Sequence, residues 1–462
     1  MKLYNSFSKE VEEFKPISPD SVKMYTCGPT VYFYQHIGNF RTFVTSDLLQ
    51  RALKYSGYKI KAMMNITDVG HLTGDNLGDA DSGSDRLEVA ADREGKSARD
   101  IAQFYTDHFL KDYSKLNLLD PEKITKATSY IKEMIGLIQK LDGKGFTYRI
   151  SDGIYFDTSK FPEYGKLSGV KLEDLGGEGA RLEPNPEKRN PTDFALWKFS
   201  PSDKMRWQEW DSPWGRGFPG WHIECSAMIM VELGDSIDIH VGGEDHKMIH
   251  HPNEIAQSEA ATGKKFVQYW VHGAFLKVDG GRMGKSVGNA YILSDLEAKG
   301  FEPMALRFFY LHAHYRTKLN FTWEALQNAQ NSLKKLYALV EAYKEDPSAP
   351  LSIDHVRQFE DAINNDLNMP TALAAMWDLI KSGVSEGTKL NTLIKFDEVF
   401  GLGISDHVGY EVPKDVENLA RTRWEYKKQG IWDKADMLRK QIEQSGFTVE
   451  DNADNYKVRR AK

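Results

Sequence analysis

Four short segments of this 462-residue chain hold side chains suited to chemistry. His36-Ile37-Gly38-Asn39 follows Cys27-Gly28-Pro29-Thr30 near the start, and Arg282-Met283-Gly284-Lys285-Ser286 lies far downstream. A histidine and an asparagine at a helix start can donate hydrogen bonds to phosphate oxygens, and the glycine between them lets a nucleotide approach the backbone. Gly280, Gly281 and Gly284 before Lys285, with Gly288 after it, make a loop able to fold over a triphosphate and place the ammonium on its β/γ phosphates. Together the two segments predict an ATP site gripped from both ends while the α-phosphorus is attacked. The loop is not a Walker A sequence, because Asp279 stands where the first glycine belongs.

The other constellation is Cys27, Cys225, His250 and Glu254. No Cys-x-x-Cys spacing joins the cysteines, so taken alone they read as buried, inert thiols. In His250-His251-Pro252-Asn253-Glu254 the first and last residues are four apart, on one face of a helix that begins there. A His–Glu pair at that spacing is more often a hydrogen bond than a metal site. Convergence changes the reading. Cys27 ends a strand, Cys225 begins a helix after Gly220-Trp221-His222-Ile223-Glu224, and His250 follows a third element. In a parallel sheet those ends meet at one edge, and Cys/Cys/His/Glu suits zinc.

The elements that must position these groups read as α/β with a helical rear. Short β-branched and aromatic runs at 21–25 and 59–66 flank a predicted helix at 42–56, a unit that builds parallel sheets. Ligands in such sheets bind at the carboxyl ends of the strands, which is where His36 falls. Residues 72–85 read as an acidic surface loop without the ordered spacing of a calcium site. Helical periodicity runs through 98–115 and 128–141. From about 143 to 213 the chain turns rich in Gly, Pro, Asp and Lys, with a short strand at 153–157, as in an insertion. Strands resume at 236–241 and 266–272. After about 300 the pattern is helical to the end, through 306–313, 325–343, 356–363, 372–380 and 420–442, with linkers at 346–350 and 401–409.

Composition bounds the partners. No apolar run reaches the ~18 residues of a membrane helix, and no signal-peptide pattern opens the sequence. Two cysteines without a secretion signal argue for a reducing, cytoplasmic location. The net charge of −7 disfavours wholesale nucleic-acid coating, but the balance reverses from 413 to 462, with twelve Lys and Arg against nine Asp and Glu.

Over essentially its whole length the sequence resembles the cysteinyl-tRNA synthetases, class I aminoacyl-tRNA synthetases. The resemblance rests on Cys27-Gly28-Pro29-Thr30-Val31-Tyr32, His36-Ile37-Gly38-Asn39-Phe40-Arg41-Thr42, Asn65-Ile66-Thr67-Asp68 and Arg189-Asn190-Pro191-Thr192-Asp193-Phe194-Ala195-Leu196-Trp197-Lys198. Gly220-Trp221-His222-Ile223-Glu224-Cys225-Ser226-Ala227-Met228, His250-His251-Pro252-Asn253-Glu254 and Ala435-Asp436-Met437-Leu438-Arg439 extend it. The resemblance implies a Rossmann-like parallel-sheet catalytic domain at 1–118 and 200–275 with a connective insertion at 119–199. A signature-loop and stem-contact region at 276–345, a helical bundle at 346–405 and a C-terminal anticodon-binding domain at 406–462 would follow.

It further implies one Zn²⁺ per chain on Cys27, Cys225, His250 and Glu254, with the substrate thiolate on the metal. Trp221 and Thr67 would wall the cysteine pocket. His36, Asn39 and Lys285 would stabilise charge as L-cysteine attacks ATP with Mg²⁺; Gly38, Gly243, Asp245 and Ser286 would complete the ATP contacts. The expected partner is tRNA(Cys), and the expected state a monomer. A cysteine ligase with an amino-sugar acceptor and a non-catalytic zinc or tRNA-binding relative are the alternatives. Three departures stand out: Asn39 in place of a second histidine, Arg-Met-Gly-Lys-Ser in place of Lys-Met-Ser-Lys-Ser, and Tyr456 where a tryptophan is expected.

Overall fold

In a computed structural model, the described residues are 1–72, 84–169, 185–201, 206–284, 288–409, 412–452 and 455–460. Five strands form a parallel sheet in the order Val267–Gly273, Ile237–Gly243, Val22–Thr26, Ile60–Ile66, Lys123–Lys126. In chain order this is the 3-2-1-4-5 winding of a Rossmann-like sheet. The order reverses between Val22–Thr26 and Ile237–Gly243, which pair Met24, Tyr25 and Thr26 with Ile239, His240 and Val241. Loops leaving those two strands run to opposite sides, so a crevice opens above them. Strands buried on both faces should read as unbroken apolar runs. Asp238 and His240 break that pattern in Ile237–Gly243, and both are fully buried. Asp238 earns its place structurally, accepting from the Ile17 and Lys23 amides. His240 belongs to the site.

The helix after the first strand spans Ile37–Tyr55, starting five residues before the predicted 42. Thirteen of its nineteen residues are buried, so no polar stripe marked its start in the sequence. Its buried Asp47 pairs with Arg51 and with the fully buried Arg307. Arg307 also donates to the carbonyls of Phe400 (2.7 Å) and Leu116 (3.0 Å), so one guanidinium ties the first helix to the helical rear.

The insertion forms an antiparallel sheet of Thr147–Ile150, Gly153–Phe156, Phe194–Phe199 and Gly217–Pro219. Phe156, Phe194 and Trp197 from it share a core with Ile223 and Met228 of the Trp221–Glu232 helix. That core fixes the helix bearing Cys225. Cys225 is the fifth residue of this helix rather than its first.

The rear is built of the helices Trp323–Ala342, Ile353–Asn364, Met369–Lys381 and Glu386–Phe400, with breaks at the predicted linkers. Two expectations fail beyond them. The segment predicted as one helix at 420–442 is two, Lys414–Lys428 and Trp432–Gln444, parted by Gly430 at φ 71°. Nor is the chain helical to its end, because Phe447–Asp451 pairs antiparallel with Tyr456–Arg460. Val416, Ala420, Ile442, Phe447 and Val449 give these last elements a core of their own. Among the described residues, no helix is long and apolar enough to cross a membrane.

Candidate active site

His36 is the N-cap of the Ile37–Tyr55 helix. Its Nδ1 accepts from the Asn39 amide (3.1 Å), and Asn39 Oδ1 accepts from the His36 amide (3.2 Å). This reciprocal capping satisfies two orphan donors of the first turn. It also sets the chemistry. With Nδ1 an acceptor, the neutral ring carries its proton on Nε2, the form that donates to a phosphate. Asn39, the departure from histidine, is therefore the partner in a capping box as well as the owner of an amide donor. Arg41 locks this turn in place: its Nη1 donates to the carbonyls of Ala274 (2.8 Å) and Phe275 (2.9 Å), its Nη2 to that of Thr317 (2.5 Å). Burial lowers the Arg41 guanidinium to about 10, against the opposing pull of Tyr310 and Glu244.

Lys285 and Ser286 lie outside the described residues. Their flanks dock on the His36 turn. A Cβ at Gly38 would sit 3.2 Å from Met283 Sδ, the Ile37 amide donates to Tyr291 O (2.8 Å), and His36 bridges Ile292. Asn289 closes the loop base, accepting from the Gly284 amide (2.9 Å) and donating to Arg282 O (3.1 Å). The His36 turn and the described flanks of the lysine loop thus share one neighbourhood.

Cys27, Cys225, His250 and Glu254 are all buried and bring their ligand atoms within 4.8 Å of one another. Cys27 follows the central strand, and its amide bonds Val241 O across the switch point (3.0 Å). Its neighbour must be glycine, because a Cβ at Gly28 would lie 1.6 Å from Asn65 O. His250 opens the His250–Thr262 helix and Glu254 is one turn on, with Nε2 to Oε1 3.0 Å. Glu254 Oε2 meets His240 Nε2 (2.9 Å), and the other nitrogen of His250 meets His222 Nδ1 (2.9 Å). Outer partners of this kind orient metal ligands.

The electrostatics match the donor set. Burial works against ionising Glu254, yet His240 and His250 hold it at about 2. Burial likewise opposes charge on His250, and Glu254 and Cys225 overcome it, raising the ring to about 10. The Cys225 thiol is lowered to about 7, first by its hydrogen bond with Cys27, while burial pushes the Cys27 thiol well up. Two thiols, an imidazole and a carboxylate, buried and convergent, fit zinc in type and number.

Trp221 borders this cluster, and Thr67 is tied to it through Glu224, the residue before Cys225. Thr67 is held by the extension of the Cys27 strand, its amide on Pro29 O (3.0 Å) and its carbonyl taking the Val31 amide (3.2 Å). Its hydroxyl accepts from Asn65 (3.0 Å) and donates to Glu224 Oε2 (3.1 Å). The Trp221 ring lies 4.5 Å from that of His250. Gly243 ends the Ile237–Gly243 strand, and a Cβ there would come within 2.4 Å of Asp245 Oδ1. Asp245 itself is exposed, at the crevice mouth.

Sequence reasoning missed several buried groups. Glu224 takes Thr67 on one oxygen and His71 Nε2 (2.7 Å) on the other. His240, His251 and His272 form a layer beneath the cluster, with His251 Nδ1 2.8 Å from His272 Nε2. A signal existed: six of the thirteen histidines fall between 222 and 272.

The solved structures with this architecture include methionyl-tRNA synthetase of Mycobacterium tuberculosis in complex with methionyl-adenylate. It matches with a TM-score of 0.55 over 84% of this chain and 91% of that one, at 14% identity. The fold is that of a class I tRNA synthetase. The family model described as tRNA synthetases class I (C) catalytic domain matches residues 13–331, and the chain belongs to that family. Cysteine–tRNA ligase 1 of Burkholderia lata is 45% identical over 99% of this chain and 96% of its own. Cysteine–tRNA ligase of Treponema denticola is 40% identical over 98% of each.

Proposed function

We propose that the chain is a cysteine–tRNA ligase, forming cysteinyl-adenylate from L-cysteine and ATP and passing cysteine to tRNA(Cys). The observation that carries this reading is the buried convergence of Cys27, Cys225, His250 and Glu254 at the switch point of the sheet. These four residues would hold zinc, which when bound favours a thiolate ligand over a hydroxyl and so distinguishes cysteine from serine. Shape alone separates such near-isosteres poorly.

The chain's own groups do the rest. Thr67 and Trp221 bound the amino-acid pocket, and the Thr67–Glu224–His71 network keeps its wall rigid. The His36 Nε2 proton, the Asn39 amide and the helix terminus take the phosphates, which arrive with Mg²⁺. Gly38 admits the nucleotide, Gly243 and Asp245 receive the ribose, and Lys285 with Ser286 closes over the triphosphate. These groups stabilise charge and exchange no proton. A terminal ribose hydroxyl of the tRNA then takes the cysteinyl group.

In this reading the catalytic domain comprises 1–118 and 200–275, with the connective insertion at 119–199 and the stem-contact region at 276–345. The helical bundle at 346–405 carries the anticodon-binding domain at 406–462. The enzyme works as a cytoplasmic monomer.

Pyrophosphate exchange with cysteine and with serine, with and without a strong zinc chelator, tests the proposal. Cysteine-dependent exchange that the chelator abolishes is expected, followed by acylation of tRNA. Absence of exchange sinks the enzyme reading, equal use of serine sinks the zinc role, and transfer only to an amino sugar selects the other ligase.

A further inference from the structure

Cys27 and Glu254 also belong to a second quartet. With His240 and His251 they place four ligand atoms within 4.8 Å of one another, all buried. Bond lengths of about 2.0–2.3 Å in a tetrahedral zinc site put ligand atoms roughly 3.3–3.6 Å apart. Here Cys27 Sγ lies 3.5 Å from His251 Nε2 and 4.0 Å from Glu254 Oε1, and His251 Nε2 is 3.9 Å from that oxygen. His240 Nε2 stands 2.9 Å from Glu254 Oε2. These four edges lie within about half an ångström of that spacing, and the whole quartet within 4.8 Å.

The rings are already aimed. His251 Nδ1 lies 2.8 Å from His272 Nε2, so donation along that contact leaves the His251 Nε2 lone pair facing Cys27. Trp270 backs both rings, with centroids 4.7 Å from His240 and from His251. Tyr25 meets His240 edge-on at 5.0 Å.

We propose that the chain has a second zinc seat, formed by Cys27, His240, His251 and Glu254, which fills at higher free zinc than the first. The proposal rests on the zinc reading of the first quartet and goes beyond its single ion. Cys27 would bridge through its thiolate sulfur and Glu254 through its carboxylate, whose Oε1 faces Cys27, His250 and His251 and whose Oε2 faces His240. Sharing gives each ion less negative charge, which is why the second binds more weakly.

The test is metal analysis of the full chain equilibrated against zinc buffers of increasing free concentration. Wild type is expected to rise from one zinc per chain to two, and His251→Ala to stop at one. Cys225→Ser, which removes a ligand unique to the first seat, should keep one zinc, and adding His251→Ala should remove it. Cobalt substitution gives a second readout, a further increment of visible ligand-field absorption at the second equivalent. A wild-type stoichiometry fixed at one throughout overturns the second seat while leaving the first intact. A stoichiometry of zero overturns the zinc reading itself. A second equivalent that persists undiminished in His251→Ala assigns the extra ion elsewhere and overturns the seat.

Discussion

Asn39 does two separable things, and substitutions can divide them. Its Oδ1 accepts from the His36 amide in the capping box, and its amide nitrogen is placed at the helix terminus where phosphate is expected. Asn39→Ala removes both. Losing one side of a cap costs about 1 kcal/mol, which in a protein of this size lowers the melting temperature by roughly 1 °C. Losing a donor aimed at a phosphate that gains charge in the transition state costs about 3 kcal/mol, or on the order of 100-fold in rate. Asn39→Asp keeps the acceptor, adds a negative charge that the helix terminus favours, and so restores the melting temperature. The same charge repels phosphate, and exchange should fall at least as far as in the alanine variant. Asn39→His tests the donor alone: it should retain most of the rate. Thermal melts and cysteine-dependent pyrophosphate exchange on the three variants read out both roles. An Asn39→Asp enzyme with wild-type exchange would refute the phosphate contact, and an Asn39→Ala enzyme with wild-type stability would refute the cap.

Gly28→Ala must push two neighbouring strand extensions apart by more than about 1 Å, because its Cβ would meet a backbone oxygen at 1.6 Å. Overpacking of this kind costs roughly 1–3 kcal/mol, and displacement of Cys27 should lower zinc content as measured by metal analysis. Arg307→Ala leaves the buried Asp47 carboxylate with Arg51 alone as its cation and removes the donor to the carbonyls of Phe400 and Leu116; a loss of about 3 kcal/mol is expected in urea unfolding, with a smaller loss when Asp47 is replaced by leucine as well. In the C-terminal unit, the paired bonds from Arg423 (2.7 and 2.8 Å), with Lys427 beside them, hold the Asp451 carboxyl far below its ordinary range. A depressed carboxylate stabilises the fold above the unfolded-state pKa, near 4, and loses that contribution as pH falls toward the folded value. Asp451→Asn should therefore lower the melting temperature most at pH 7, and by progressively less as the pH falls from about 4 toward about 2.

What could be read in advance was set by how local the signal is. His36-Ile37-Gly38-Asn39 and the lysine loop are contiguous, so their residue types sufficed, and the parallel strands placed Cys27 at a carboxyl end. The helix start was misplaced because a nearly wholly buried helix shows no polar face, and because histidine is an uncommon N-cap. The Lys414–Lys428 and Trp432–Gln444 helices ran together because the apolar period resumes almost in phase across Gly430. The final hairpin escaped notice since five-residue strands in a basic tail carry little alternation. Glu224 lay inside a quoted motif, yet nothing in one dimension says its partners are Thr67 and His71, both about 150 residues earlier.

The histidine layer is the sharper case. His240 and His272 sit in largely apolar strands, where a lone histidine reads as an ordinary buried ring. Only the sheet order, which sets Ile237–Gly243 beside both Val22–Thr26 and Val267–Gly273, stacks them under the cysteines. Burying that many imidazoles is costly, and burial holds His222, His251 and His272 well below the ordinary histidine range, so they stay neutral at pH 7. Neutral rings are what a thiol-selective metal pocket needs. They offer lone pairs and directed N–H groups without adding positive charge that would repel the ion. A cationic layer would also favour loose anions over a specific thiolate. The neutral His251 and His272 rings thus supply uncharged donors and acceptors beneath the four candidate ligands. Replacing His251 with lysine, which keeps a nitrogen but restores charge, should reduce zinc affinity more than His251→Gln does; equal affinities would show that the neutrality of the layer is incidental.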